Sequence, residues 1–136
     1  MTVARAALAA AAERLIGTPF RLHGRDPARG LDCVGLVAAA LAEAGRPVRA
    51  PTGYWLRQSR LDGLLDAATH AGLGAAAGAV TPGDVLLVRP GPAQHHLVVA
   101  GMAGGFVHAH AGLGRVVLTP APLAWPIVRH WRLLAE

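Results

Sequence analysis

The chain has no lysine, no asparagine, one cysteine, and only two Phe, three Trp and one Tyr in 136 residues. A single cysteine excludes an internal disulfide framework and any zinc site built on several thiolates. All thirteen basic residues are arginines, and the formal net charge is +5. That balance favours anionic partners. The arginines are nevertheless scattered, without a run of three and without a basic helix face interleaved with aromatics, so no nucleic-acid partner is expected. No stretch approaches eighteen consecutive strongly apolar residues, so no membrane span and no membrane partner are expected. Met1 to Ala12 lacks the charged n-region of a secretory signal, and Glu13-Arg14 interrupts the apolar run early. The expectation is a chain made in the cytoplasm without a signal peptide.

What is present suits a folded globular chain. Hydrophobic residues make up 53% and charged residues 15%, which excludes a disordered tail. The length fits a single domain over residues 1–136, with no repeat and no linker. Apolar spacing at Val3, Leu8, Ala12, Leu15 and Ile16 predicts a first helix from about Val3 to Ile16, stopped by Gly17 and Pro19. Phe20 to Gly30 reads as a loop. Asp32 reads as the N-cap of a second helix through Ala44, with Val37, Ala40, Leu41 and Ala44 inward. A third helix is predicted over about Arg60 to Ala71, carrying Leu61, Leu64, Leu65 and Ala68. Beyond Ala79 the texture changes to strands at 84–89, 96–100, 106–110, 115–119 and 127–133. Helices first and an antiparallel sheet after them make an α+β arrangement.

The residues with chemical potential are Cys33 and the histidines. Following a capping Asp32, Cys33 falls in the first turn of a helix, where unpaired N–H groups and the dipole favour a thiolate. His96 and His108 stand twelve residues apart across the glycine-rich turn Gly101-Met-Ala-Gly-Gly105. A hairpin symmetric about Met102 would set them directly opposite, one imidazole orienting the other as it faces the thiol. A second reading is a metal site using His95, His96, His108 and His110, although no carboxylate lies nearby in sequence to complete it.

Residues Leu15 to Val37, "LIGTPFRLHGRDPARGLDCVGLV", resemble the signature of the NlpC-type family of cell-wall cysteine peptidases, in which Asp-Cys-Ser-Gly-Leu-Val follows a Gly-Thr-Pro-Tyr stretch. "PGDVLLV" at Pro82 to Val88 resembles the family's Pro-Gly-Asp strand. "HLVVAGMAGGFVHA" resembles its two histidine strands, with the same gap between the histidines. The resemblance implies a compact papain-like α+β fold, with N-terminal helices packed on a five- to six-stranded antiparallel sheet. It implies Cys33 as nucleophile, His96 as general base and acid, and His108 as the residue orienting His96. Asp32 would shape the substrate end of the groove. The implied substrate is a stem peptide of peptidoglycan, often cut between D-glutamate and a diamino acid, and the reaction calls for no cofactor and no metal.

Three departures from the family pattern bear on the groove. Phe20 stands in place of a tyrosine whose hydroxyl assists the oxyanion, His23 in place of a glycine, and Val34 in place of the serine after the nucleophile. All three are expected at the substrate. The bare form, "PTGYW…LLDAA" and the ending "RHWRL" resemble the branch carried by phage and gene-transfer-agent tails. That implies tail proteins as partners and action in the periplasm or wall after delivery on a particle. Two other readings stay open: a tail-assembly module of this fold with little activity, and a papain-like hydrolase of another amide or ester.

Overall fold

The computed structural model describes residues 2–48 and 62–134. Tyr54 and Trp55, in the stretch likened to tail proteins, lie outside the described residues, as does Leu61 of the third predicted helix. Helix α1 spans Val3–Arg14 and starts at Thr2, whose Oγ1 accepts the Arg5 N–H at 3.2 Å. Leu8, Ala9, Ala11 and Ala12 are its buried residues, and this small-residue face lets α1 lie closely on helix α2, Cys33–Glu43. The predicted inner stripe was too long at both ends: Val3 is exposed, and Ile16 is exposed beyond the helix. Leu15 caps α1, and the Gly17 N–H then donates to the Val116 carbonyl at 2.9 Å. That bond turns the chain away from the helix axis and onto the sheet.

Val37, Ala40 and Leu41 of α2 are buried as the spacing predicts, while Ala44 is only partly so. The first half of α2 is buried all round, Cys33, Val34, Gly35 and Leu36 included. Its roof is the segment expected to be irregular. There β1 (Arg25–Asp26) and β2 (Gly30–Leu31) form a small antiparallel ribbon. Helix α3 spans Asp62–His70, inside its predicted limits.

The main sheet has six antiparallel strands in the order β3-β8-β4-β5-β6-β7. They are β3 (Leu73–Ala75), β4 (Val85–Val88), β5 (His96–Ala100), β6 (Phe106–His110), β7 (Arg115–Thr119) and β8 (Ile127–Leu133). Only β3 has no counterpart in the sequence reading; a three-residue Leu-Gly-Ala edge strand carries too little alternation to be seen. The helices cover one face, where Val85, Leu87, Leu97, Val99 and Val107 join Leu8, Leu36 and Leu41 in one core. The reverse face holds a smaller core of Leu86, Val88, Val98, Ala100 and Phe106, packed under Val80, Leu123 and Trp125. With both faces covered, β4 is buried throughout, which is why it reads as an unbroken apolar run rather than an alternation.

Buried Asp84 locks the middle of this sheet. Its carboxylate accepts from Arg132 Nε (2.8 Å) and Nη2 (2.9 Å), from the Thr81 N–H (2.8 Å), and pairs with His130 Nε2 at 2.7 Å. Burial works to raise its pKa, but these partners outweigh it and hold the carboxyl at about 2.

Candidate active site

Cys33 is the first residue of α2 and is 2% exposed. The turn that presents it is held by Asp32. One oxygen, Oδ1, accepts the Gly35 N–H at 2.8 Å and Arg25 Nη1 at 3.0 Å, and Oδ2 accepts the His23 N–H at 2.9 Å. Asp32 therefore caps the helix, as predicted, and also anchors the loop above it. That loop lies directly on the helix: a Cβ at Gly35 would sit 2.0 Å from the Gly24 carbonyl oxygen. His23 adopts the left-handed conformation, φ 60°, held there by its bond to Asp32.

The thiol corrects an expectation. Burial pushes the Cys33 pKa up to about 12, the N–H groups of Leu97, Val34 and Cys33 oppose that shift, and the Asp32 charge adds to it. Desolvation outweighs the helix start, so at neutral pH the sulfur is a thiol and not a preformed thiolate.

The hairpin geometry differs from the symmetric arrangement about Met102. Val99 pairs with Val107 and Ala100 with Phe106, which centres the turn one residue later and places His96 diagonal to His108 rather than opposite it. The side chains still meet, because residues 96 and 108 share a face and long side chains span a diagonal. His96 Nε2 lies 3.0 Å from His108 Nδ1, with the rings edge-on at 85°. His108 Nε2 in turn lies 2.7 Å from Thr119 Oγ1 on the next strand. Trp125 packs edge-on to both imidazoles, at centroid distances of 5.8 and 5.5 Å. Burial, then repulsion from His108 and His110, lowers the His96 pKa to about 4, against a smaller opposing pull from Asp32. Burial, then His110, takes His108 down to about 4 as well. Both rings are neutral at pH 7.

These groups open on one cleft of about 580 Å³, lined by Cys33, His96 and His108 together with Asp32, Phe20, His23 and Trp125. The structure thus brings together every residue predicted for the site except Val34. Val34 is 4% exposed and faces a separate apolar void of about 50 Å³ with Val37, Leu41 and Leu97. It is a core residue, because position 34 on α2 turns toward the sheet while position 33 meets the cleft. Sequence reasoning missed Thr119, which reaches His108 only through the β6–β7 register. It also left Gln94 without a role on the cleft wall. His95 and His110 line the cleft too. His110 Nδ1 already accepts the Leu113 N–H at 3.0 Å, and among the described residues no three His, Cys, Asp or Glu side chains form a group able to hold a metal ion. Nor is any helix among the described residues long and apolar enough to cross a membrane.

Known proteins share this fold. The model of the NlpC/P60 family matches residues 17–123. No curated protein matches the chain in sequence. Among solved structures, NlpC2 from Trichomonas vaginalis is similar at TM-score 0.67 and 17% identity, covering 95% of this chain and 48% of that one. The NlpC/p60 domain of the peptidoglycan hydrolase SagA is similar at TM-score 0.61 and 25% identity, with 90% and 95% covered. The peptidoglycan hydrolase RipB from Mycobacterium tuberculosis is similar at TM-score 0.60 and 22% identity, with 98% and 66% covered. The chain spans about half the length of NlpC2 and nearly all of the SagA domain.

Proposed function

The chain belongs to the NlpC/P60 family, and on that premise we propose that it is a cysteine peptidase hydrolysing an amide bond in peptidoglycan stem peptides. The observation that carries this reading is the meeting, in one cleft, of a cysteine at a helix start with a hydrogen-bonded pair of imidazoles. Cys33 is the nucleophile, His96 its base, and His108 the group that orients His96. Because His96 Nε2 is engaged by His108, Nδ1 is the nitrogen that serves the thiol.

The protonation states dictate how the first step runs. Thiol and imidazole both rest uncharged, so the S–H proton passes to His96 Nδ1 as sulfur attacks the carbonyl carbon. Backbone N–H groups of the first α2 turn, that of Cys33 among them, stabilise the oxyanion. The C–N bond then breaks, and the amine leaves with the proton held by His96. Water attacks the thioester, its proton passes through His96, and the acid and the thiol are released. Phe20 lines the cleft without a hydroxyl to donate, so one oxyanion donor of the family pattern is missing. His23 lines the same cleft and completes the substrate wall there. Delivery on a phage or gene-transfer-agent tail follows from the resemblance of "PTGYW…LLDAA" and "RHWRL"; a coding gene outside any tail-gene cluster would sink it.

Digestion of purified Gram-negative sacculi by the wild type and Cys33→Ala, with products identified by mass spectrometry, tests the activity. Release of cleaved stem peptides by the wild type alone is the expected result and names the bond. No cleavage with an iodoacetamide-reactive thiol would redirect the assignment to another amide. An inert thiol would indicate a structural module.

A further inference from the structure

We propose that Thr119 is a positioning residue of the catalytic chain, its hydroxyl fixing the tautomer of His108 and, through it, that of His96. The proposal rests on the reading of Cys33 and His96 as the reacting pair, and it concerns a residue outside every motif in the sequence.

On β5, β6 and β7, residues 96, 108 and 119 share one face and form a diagonal row across adjacent strands. His108 pairs with Val117 and Phe106 with Thr119, which puts Thr119 one diagonal step from His108. The contacts along the row are 3.0 Å from His96 Nε2 to His108 Nδ1 and 2.7 Å from His108 Nε2 to Thr119 Oγ1. His108 is 2% exposed, so both its ring nitrogens are satisfied inside the protein rather than by bulk water.

Counting protons then fixes the roles. A neutral imidazole carries one N–H, and the contact between two ring nitrogens holds one proton. If Thr119 Oγ1 accepts from His108 Nε2–H, then His108 Nδ1 is bare and must accept. The proton of the first contact then belongs to His96 Nε2, and His96 Nδ1, the nitrogen assigned above to the thiol, is left bare. If Thr119 donated instead, every bond would reverse and His96 Nδ1 would carry the N–H, unable to take the thiol's proton. The protonated His96 formed during turnover carries N–H on both nitrogens, so it too needs His108 Nδ1 as an acceptor. Only the accepting role of Thr119 serves both stages. The hydroxyl stands where a carboxylate would do the same work by charge.

Histidine ¹⁵N spectra of the wild type at pH 7 test this without any substrate. The expected result is His108 protonated on Nε2 and His96 on Nε2. His108 protonated on Nδ1 would overturn the proposal outright. Thr119→Val, close in shape but without the hydroxyl, should scramble the His108 tautomer and lower stem-peptide kcat by roughly 10–100-fold, with KM changed little. It should also slow alkylation of Cys33 by iodoacetamide. Thr119→Ser should restore all three. Native tautomers and native alkylation in Thr119→Val, while His96→Ala still slows alkylation, would reject the role of Thr119 and keep the pair. A His96→Ala protein alkylated at the wild-type rate would reject the pair itself, and the role of Thr119 with it.

Discussion

Cys33 shows how two local effects compete at a single atom. A helix N-terminus stabilises a thiolate by a fraction of a charge, whereas full burial removes the solvation of a whole one. Burial wins, and the thiol sits at about 12. The expected signature is an iodoacetamide alkylation rate that keeps rising with pH through 9. A rate already flat at neutral pH, the mark of a preformed thiolate, would contradict it. His96 makes the complementary prediction. Its base form persists down to about 4, so stem-peptide cleavage should fall off on the acid side only as the pH drops toward that value. Val34, one residue along, shows that adjacency in sequence is not adjacency in a site: a helical step of about 100° separates cleft from core.

At the scale of the element, strands are registered by polar anchors as much as by apolar faces. Asp84 lies just ahead of β4 and binds His130 and Arg132 of β8, alternate residues on one face of that strand. Removing the carboxylate strips the His130 imidazole of its partner and leaves the Arg132 guanidinium only its bond to the Ala79 carbonyl. Asp84→Ala should therefore cost roughly 3 kcal/mol, lowering Tm by about 10 °C in a thermal scan. A loss below about 0.5 kcal/mol, the range of ordinary surface changes, would show the network to be dispensable. The carboxyl is held at about 2 against 3.8, so its contribution is intact above pH 3.8 and lost as pH falls toward 2. The ribbon β1–β2 is a different kind of element, too short to stand alone. Its order comes from Asp32 and from backbone packing at Gly24 and Gly35.

Across the whole molecule, the buried histidine pair and the stability of the fold are linked. His96 and His108 sit neutral at about 4, against 6.5 for a solvated imidazole, so the unfolded chain binds more protons between those values. Their contribution to stability is complete above pH 6.5 and is lost as pH falls through 4. Urea midpoints measured from pH 7 to 4.5 should decline, and replacing both histidines by asparagine should flatten that decline. An unchanged slope in the double variant would place the acid sensitivity elsewhere. Much of this protein was legible in its residues. Among the described residues, two of the three helices and five strands of the main sheet follow from apolar period and turn residues, β5 to β8 at their observed limits, and α3 lies within its predicted span. Asp32-Cys33 marks a helix start because short-range capping is written in consecutive positions. What the chain could not declare is whatever depends on which strands meet and at what register. The tertiary structure alone decided the diagonal from His96 through His108 to Thr119, the turn of Val34 into the core and the desolvation of the thiol. Each depends on atoms brought together from distant positions, and burial is a property of the assembled neighbourhood rather than of the residue.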